Sequence, residues 1–443
     1  MQPPPEAARK PPQPAAPAGP LRGRARVPGC RAAGHAALVL ATLAAGTTAI
    51  TGLPTDAATV RLAEALRALG AGVTMRADGA WLVAGRGIGG LVEPVQALDP
   101  GGSAEVATLL CGLLAGHALF AVVDGGPGLR HHPMQAVMEA LAGTGARFAG
   151  RAGGLLPLAV EGAADPLPLE LRLPPAAASL TSACLLAGLA ARGSTRLTVP
   201  VPMPGGMETL LRHFGARVRM TAEGAARVIE LEGQPELVAT PVVVPGDADA
   251  ATFLAVAALL VPGSDIVLEG IDADPLRGIA LAALRAMGAD ILASDAPAAG
   301  ALPASDWRVR AGALRGQVVA EAGACPAWPA LAVAAAAAQG STRLCGAGQD
   351  GPLAGAMAAL LAAHGVAAVR EGPDLVIQGA GGPPPGGGMV ETHMDHRIAM
   401  AAMVLGLSAC APVRLDQFAR IESGFPGLAA LLERLAGSPV CAA

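Results

Sequence analysis

The stretch Val244 to Ile271, VPGDADAATFLAVAALLVPGSDIVLEGI, contains a complete strand–helix–strand unit. Asp247 follows a β-branched strand and is placed to cap a helix that runs to about Leu260. Pro262-Gly263 then turns the chain into a second strand, 266–268. Because this helix is apolar on nearly every side, we expect it to be buried, with the strands outside it.

The same pattern recurs along the chain. Six amphipathic helices end in Gly-Ala or a close equivalent, at intervals of 70–77 residues, and each is preceded by an apolar helix and a short strand. The glycines that end them are Gly70, Gly145, Gly215, Gly288, Gly365 and Gly437. Helices that alternate with strands in this way predict parallel strands joined by helical crossovers. The sequence therefore predicts an α/β fold of six repeats with its apolar helices inside.

Two identical junctions divide the repeats into two sets of three. Val-Pro-Gly occurs at 27–29 and again at 244–246, each time before an apolar helix. We interpret these as two crossings between a domain of residues 30–243 and a domain of 21–29 plus 244–443. Pro28, Gly29, Gly246 and Asp247 then form a predicted hinge. Residues 1–20 are rich in Pro and Ala and are predicted to be a disordered extension.

Composition excludes several classes of partner. The net charge is -4, aromatic residues make up 2% with no Tyr, and Lys10 is the single lysine, so we expect no nucleic-acid-binding surface. The seven cysteines are scattered singly, which favours a reduced, cytoplasmic location. The apolar runs are too short or too interrupted to predict a membrane segment. We expect a monomer.

With the six repeats and THMDHRIAM at 392–400, the chain resembles the enolpyruvyl transferases, specifically the 5-enolpyruvylshikimate-3-phosphate synthases of the glyphosate-insensitive bacterial class. The resemblance covers about residues 21–437 and includes GLRHHPM (128–134) and SACLLAGL (182–189). It implies two inside-out α/β domains, each of three βαβαββ repeats. It also implies transfer of the carboxyvinyl group of phosphoenolpyruvate to shikimate 3-phosphate, in the shikimate pathway of aromatic amino-acid biosynthesis, without a metal or cofactor.

The resemblance also assigns residues to the site. It implies that substrate is bound by Arg31, His35, His132, Ser179, Asp395 and Arg397, and that Asp350 and His396 are candidates for acid–base catalysis. Three of these assignments have a structural alternative. Arg397 could simply pair with Asp395, Arg31 could be a solvated cation at a helix start, and Asp350 lies in what could be an ordinary turn.

Many positions of the family's motifs are substituted. The motif P-G-D-K-S-x-S-x-R is here PGCRAAGHA (28–36), and the D-E-x-P motif, which carries the family's base, is PAWP (326–329). Glu105 places a carboxylate in a loop that binds phosphate in the family. These changes predict slow turnover or none. Two alternatives follow, namely a non-catalytic binding or regulatory paralogue and a transferase for a less anionic acceptor.

Overall fold

The computed structural model describes residues 13–16, 18–174, 178–200, 206–224, 226–296 and 300–440. The chain divides into two compact units. Unit 1 comprises Met1–Pro28, Gly246–Pro297 and Ala304–Ala443, and unit 2 comprises Gly29–Pro245 and Ala298–Pro303. The chain thus passes from one unit to the other within both Val-Pro-Gly junctions, whereas the sequence alone placed the passages at 29/30 and 243/244. The hinge at these junctions stays a prediction.

The chain begins in unit 1 with β1 (Gln13–Ala15) and β2 (Arg22–Ala25) and then enters unit 2. The helices of unit 2 are α1 (Arg31–Leu43), α2 (Ala57–Ala68), α3 (Ala104–Ala115), α4 (Gln135–Ala142), α5 (Ala178–Gly188) and α6 (Met207–His213). Its strands are β3 (Thr47–Thr51), β4 (Gly72–Met75), β5 (Trp81–Ala84), β6 (Phe120–Val123), β7 (Arg147–Arg151), β8 (Leu155–Glu161), β9 (Glu170–Arg172), β10 (Ser194–Val199), β11 (Val218–Glu223), β12 (Ala226–Glu232) and β13 (Val242–Val243).

The chain then returns to unit 1. The helices are α7 (Ala248–Leu260), α8 (Ile279–Ala286), α9 (Trp328–Ala337), α10 (Gly351–Ala363), α11 (His396–Ser408), α12 (Ile421–Gly424) and α13 (Leu428–Ala436). The strands are β14 (Asp265–Asp272), β15 (Asp290–Asp295), β16 (Ala304–Arg310), β17 (Val318–Val319), β18 (Gln339–Leu344), β19 (Ala368–Glu371), β20 (Asp374–Ala380), β21 (Met389–Val390) and β22 (Val413–Leu415).

Each unit contains three helices buried on nearly all sides. They are α1, α3 and α5 in unit 2 and α7, α9 and α11 in unit 1. Small residues allow these helices to approach closely, since a Cβ atom on Gly112 of α3 would lie 2.4 Å from the carbonyl oxygen of Ala183 in α5. This close approach explains why so much of the apolar composition is alanine.

Three small sheets surround the buried helices of each unit. In unit 2 the strand orders are β13-β3-β5-β4, β6-β8-β7 and β11-β12-β10-β9. In unit 1 they are β15-β16-β14-β2, β17-β18-β20-β19 and β1-β22-β21. Each four-stranded sheet combines one parallel pair with antiparallel pairs, as a repeat of one helical crossover and one hairpin requires.

The predicted helix ends are all present. Gly70, Gly145, Gly215, Gly288, Gly365 and Gly437 all have positive φ angles, between 65° and 102°. A left-handed residue after the last helical turn satisfies free carbonyl groups, and glycine adopts it without a steric penalty. The six-repeat pattern therefore rests on a backbone requirement that is visible in the sequence.

The expected disordered extension needs a correction at β1. The backbone of residues 13–15 pairs antiparallel with β22, and Ala15 is fully buried. The Ala16 N–H donates to the Val440 carbonyl oxygen and the Ala18 N–H to that of Leu407. In the described part of the chain no hairpin strand follows β22, and β1 takes the antiparallel position that β16 and β20 fill in their sheets. Residues 1–12 and 17 lie outside the described residues.

Candidate active site

Arg31 begins α1 and is held by a buried carboxylate. Its Nε lies 2.9 Å from Oδ2 of Asp56, whose side chain is 8% exposed against 40% for Arg31. Asp56 is fixed in turn as the cap of α2, where it accepts a hydrogen bond from the Thr59 N–H. The positive charge predicted to bind an anion therefore already has an anionic partner within the protein.

His35 is enclosed within unit 2. The structure buries it to 1% exposure, with Nδ1 at 3.1 Å from Oε1 of Glu105 and Nε2 at 3.2 Å from Oγ1 of Thr59. Both ring nitrogens thus have partners inside unit 2, and substrate contact of His35 stays a prediction. Glu105 lies in the first turn of α3, where the helix dipole favours a negative charge.

The surroundings of His132 and Ser179 do not decide whether either residue binds substrate. His132 is exposed and follows the short 3-10 helix 129–131, and Ser179 is half-buried in the first turn of α5. Arg130, two residues before His132, donates from Nε and Nη2 to the two carboxylate oxygens of Asp124, at 2.9 and 2.6 Å. The hydrogen bond from Arg130 lowers the pKa of Asp124. Substrate contacts of His132 and Ser179 stay predictions.

In unit 1, the turn before α11 has an unusual backbone. His393 and Met394 have φ angles of 49° and 64°, a region that costs non-glycine residues energy. Thr392 anchors the turn, since its N–H and hydroxyl both donate to Oδ1 of Asp416, at 3.0 and 2.8 Å. This turn delivers Asp395 to the cap of α11, where it accepts the Arg397 N–H.

Arg397 is bound by carboxylates on two sides. Its Nη2 lies 2.7 Å from Oδ2 of Asp395 and 3.7 Å from Oδ2 of Asp350. Burial favours the protonated form of Asp395, but the hydrogen bonds and charge of Arg397 outweigh it, so the pKa of Asp395 is lowered. The hydrogen bond to Asp395 raises the pKa of Arg397. The structural alternative for Arg397 is therefore present, and a role in binding a ligand stays a prediction.

The two acid–base candidates have different surroundings. Asp350 stands at the start of α10 with its side chain exposed and makes no cap hydrogen bond there. His396 is half-buried with its ring against Gly424, where a Cβ atom would come within 2.2 Å of His396 Cδ2. This packing fixes the ring of His396, which favours a positioning role for it.

Sequence reasoning missed Asp249, which lies in the first turn of α7. Its carboxylate accepts a hydrogen bond from the Ala327 N–H, and its Oδ2 lies 3.9 Å from Nη1 of Arg277. Burial, followed by the charge of Asp247, raises the pKa of Asp249 to about 7. In the sequence Asp249 looks like an ordinary acidic residue at a helix start. The signal that could have singled it out is a second carboxylate two residues after the cap.

A metal centre and a membrane segment each place requirements on the described residues. Within the described ranges, no group of three or more His, Cys, Asp or Glu side chains is arranged to hold a metal ion. Nor does that part of the chain contain a helix of the length and apolar character needed to cross a membrane.

Comparison with known proteins identifies the family. The family model described as EPSP synthase (3-phosphoshikimate 1-carboxyvinyltransferase) matches residues 15–432. The chain belongs to the EPSP synthase family. The 3-phosphoshikimate 1-carboxyvinyltransferase of Granulibacter bethesdensis is 47% identical over 425 residues, 94% of each chain. That of Acidiphilium cryptum is 45% identical and covers 96% of this chain and 97% of its own. The predicted family and transferase assignment are confirmed.

Solved structures agree with this fold. EPSP synthase from Acinetobacter baumannii has a TM-score of 0.87 at 30% identity, over 96% of this chain and 98% of its own. The enolpyruvyl transferase NikO from Streptomyces tendae has a TM-score of 0.75 at 19% identity, over 96% of this chain and 97% of its own, and shows the fold alone. The predicted enolpyruvyl transferase fold is confirmed. The EPSP synthase scaffold is thus retained in this chain, and the degeneracy of its site stays a prediction.

Proposed function

We propose that this EPSP synthase family member transfers the carboxyvinyl group of phosphoenolpyruvate to shikimate 3-phosphate slowly, because its retained cations are paired internally. Family membership supports the reaction. The observation that carries the slow rate is the pairing of Arg31 with Asp56 and of Arg397 with Asp395 and Asp350. A guanidinium that already holds a carboxylate has to exchange it before it can bind phosphate or a ligand carboxylate.

The negative charge of Glu105 is a second reason for slow transfer, since it repels an anionic ligand. The Glu105 carboxylate is held in place by His35 in the first turn of α3, at a position that the resemblance assigns to phosphate binding. Each charge-assisted hydrogen bond is worth roughly 1.5–3 kcal/mol, so replacing several of them lowers the rate by several orders of magnitude. Membership of the glyphosate-insensitive class, a monomeric state and a cytoplasmic location are parts of this proposal that come from the sequence.

The test is product formation over long incubations. Phosphorus NMR of the protein with millimolar shikimate 3-phosphate and phosphoenolpyruvate should show inorganic phosphate and a new phosphomonoester appearing together. We expect a kcat below about 1 s⁻¹, the lower end of the usual range for enzymes. Product absent after many hours, with folded protein, would overturn the proposal.

A second candidate function is binding without turnover. It is favoured by the segment 326–329, Pro-Ala-Trp-Pro, which contains no ionisable side chain where the resemblance expects the base. Isothermal titration of shikimate 3-phosphate, with and without phosphoenolpyruvate, separates the two. Binding without any product would establish this second function, whereas binding followed by product would exclude it.

A further inference from the structure

We propose that Asp249 is the proton-transfer group of this chain, giving a proton to C3 of phosphoenolpyruvate and taking one back. The inference rests on the proposed function, because it assigns a residue to that reaction. It concerns a side chain that lies within the stretch 244–271 but that the sequence did not single out as a site residue.

The chemistry needs such a group at one carbon atom. In the addition step, the acceptor oxygen bonds to C2, the acid gives its proton to C3, and the hydroxyl proton passes to water. In the elimination step, the same group removes a proton from C3, the double bond re-forms, and the C2–O bond to phosphate breaks. A single carboxyl that can be both acid and base serves both steps.

The contacts of Asp249 suit this role. Its side chain is 29% exposed, so part of it stays accessible although most of it is enclosed. Arg277 is a weak partner at 3.9 Å, because its Nε is committed to Oδ2 of Asp272 at 3.1 Å. The Ala327 N–H orients the carboxylate without neutralising it. By contrast, both carboxylate oxygens of Asp395 accept hydrogen bonds from Arg397.

Asp249 also contacts the segment that lacks an ionisable group. Ala327, which donates to it, belongs to the Pro-Ala-Trp-Pro sequence at the start of α9, where it is the residue just before the helix. The helices α7, α9 and α11 pack against one another. Asp249 and Arg397 stand in the first turns of α7 and α11, and Ala327 directly precedes α9. A carboxylate from α7 is therefore in contact with the start of α9.

The electrostatic surroundings of Asp249 bring its pKa to about 7, so that it can both give and take a proton near neutral pH. The charged and titratable groups facing it are Asp247, Asp272, Arg277 and Cys325. Burial and then Asp247 raise its pKa, against the smaller opposing effects of Arg277 and the Ala327 hydrogen bond. Burial likewise raises the pKa of the Cys325 thiol to about 12, so that group stays uncharged.

The experiment uses the full chain and three variants. Asp249→Asn removes the proton-transfer capacity at nearly constant shape, and Asp249→Glu restores a carboxyl. Asp274→Asn is the matched control, since Asp274 is likewise a half-buried aspartate at a helix start in unit 1. The readouts are product formation and deuterium incorporation at C3 in D2O, both followed by NMR, with shikimate 3-phosphate affinity measured by calorimetry.

We expect Asp249→Asn to lower both rates by at least about 100-fold, the usual contribution of a general acid–base group, with unchanged shikimate 3-phosphate affinity. Asp249→Glu should recover part of the loss, and Asp274→Asn should match the unaltered chain. The pH–rate profile of the unaltered chain should bend near pH 7. Product formed by Asp249→Asn within threefold of the unaltered rate would overturn this inference alone. Absence of product and deuterium with the unaltered chain would overturn the proposed function as well.

Folding is checked separately. The pKa of Asp249 is higher in the folded protein than its ordinary value of 3.8, so the stability its neutral form contributes is present below pH 3.8 and lost as pH rises through 7. The urea midpoint of the unaltered chain should therefore fall over this range. Asp249→Asn should show a smaller fall, and an equal fall in both proteins would contradict the assigned surroundings of Asp249.

Discussion

At the scale of single residues, the candidate site is defined by cations that are already paired. Arg31, Arg130 and Arg397 each contact an aspartate of their own unit within 3 Å. Such pairs stabilise the fold modestly at a partly exposed position. Their larger consequence is for ligand binding. An incoming phosphate has to compete for the arginine with a carboxylate of the same unit that is always beside it.

The Arg31–Asp56 pair can be tested by releasing the cation. Asp56→Asn keeps an acceptor for the Thr59 N–H and therefore the cap of α2, but removes the charge that holds Arg31. We expect shikimate 3-phosphate to bind about tenfold more tightly by calorimetry, equivalent to roughly 1.4 kcal/mol. Glu64→Gln, which breaks an exposed pair with Arg61 on α2, is the control and should leave the affinity unchanged. Equal affinities in all three proteins would show that Arg31 does not bind the ligand.

Glu105 can be tested by removing its charge and keeping its hydrogen bond. In Glu105→Gln the amide can still pair with Nδ1 of His35, so the buried ring is not left unsatisfied. We expect the apparent KM for phosphoenolpyruvate to fall at least threefold, with the melting temperature nearly unchanged. The melting temperature of the variant controls for loss of structure. An unchanged or higher KM in a variant that keeps its melting temperature would show that Glu105 does not repel phosphoenolpyruvate.

At the scale of structural elements, close approach of backbones explains both Val-Pro-Gly junctions. A Cβ atom on Gly29 would lie 1.9 Å from the carbonyl oxygen of Gly52, and one on Gly246 would lie 2.7 Å from Cγ2 of Val27. The glycines are therefore required by space within each unit. Repetition of the junction made it recognisable in the sequence, but the reason for glycine there is a tertiary contact.

The first junction gives a stability prediction. Gly29→Ala should destabilise the protein by about 1–3 kcal/mol, the usual cost of overpacking, because the obstructing atom is backbone and cannot rotate away. Gly128→Ala is the matched control in unit 2, where the new methyl group would meet no atom within 4 Å. Urea unfolding measures both. Equal midpoints for the two variants would show that the junction adjusts without cost.

What the sequence could predict follows from the range of the interactions involved. The six glycine helix ends are local and were predictable, as were the apolar helices. The pairing of β1 with β22 joins residues about 400 positions apart, and no local pattern near residue 13 predicts it. Asp249 could not be predicted as a site residue for the same reason. Its surroundings depend on Ala327 and Arg277, which belong to other elements.

At the scale of the whole molecule, two separate hydrophobic cores account for the two units. Nearly all of the unit 2 core comes from residues 29–245, with Leu302 as the one buried contribution from 298–303 among the described residues. Losing a single leucine costs roughly 1.5–3 kcal/mol of burial. The rest of the core remains large enough for an independent domain.

We therefore expect residues 29–245, expressed alone, to unfold cooperatively. Trp81 is the one tryptophan of that fragment and is buried, so its fluorescence reports the transition. A gradual change without a sigmoidal transition, together with binding of a hydrophobic dye, would show that the core needs the remainder of the chain.

The most direct test of the whole proposal is kcat/KM for phosphoenolpyruvate, measured at saturating shikimate 3-phosphate for the unaltered chain and for Asp56→Asn combined with Glu105→Gln. We predict measurable but slow transfer by the unaltered chain and at least a tenfold gain in the double variant, since both changes remove charges that oppose the anionic ligand. A kcat/KM for the unaltered chain already within the usual 10⁴–10⁸ M⁻¹s⁻¹, or a double variant that is folded and no faster, would contradict it.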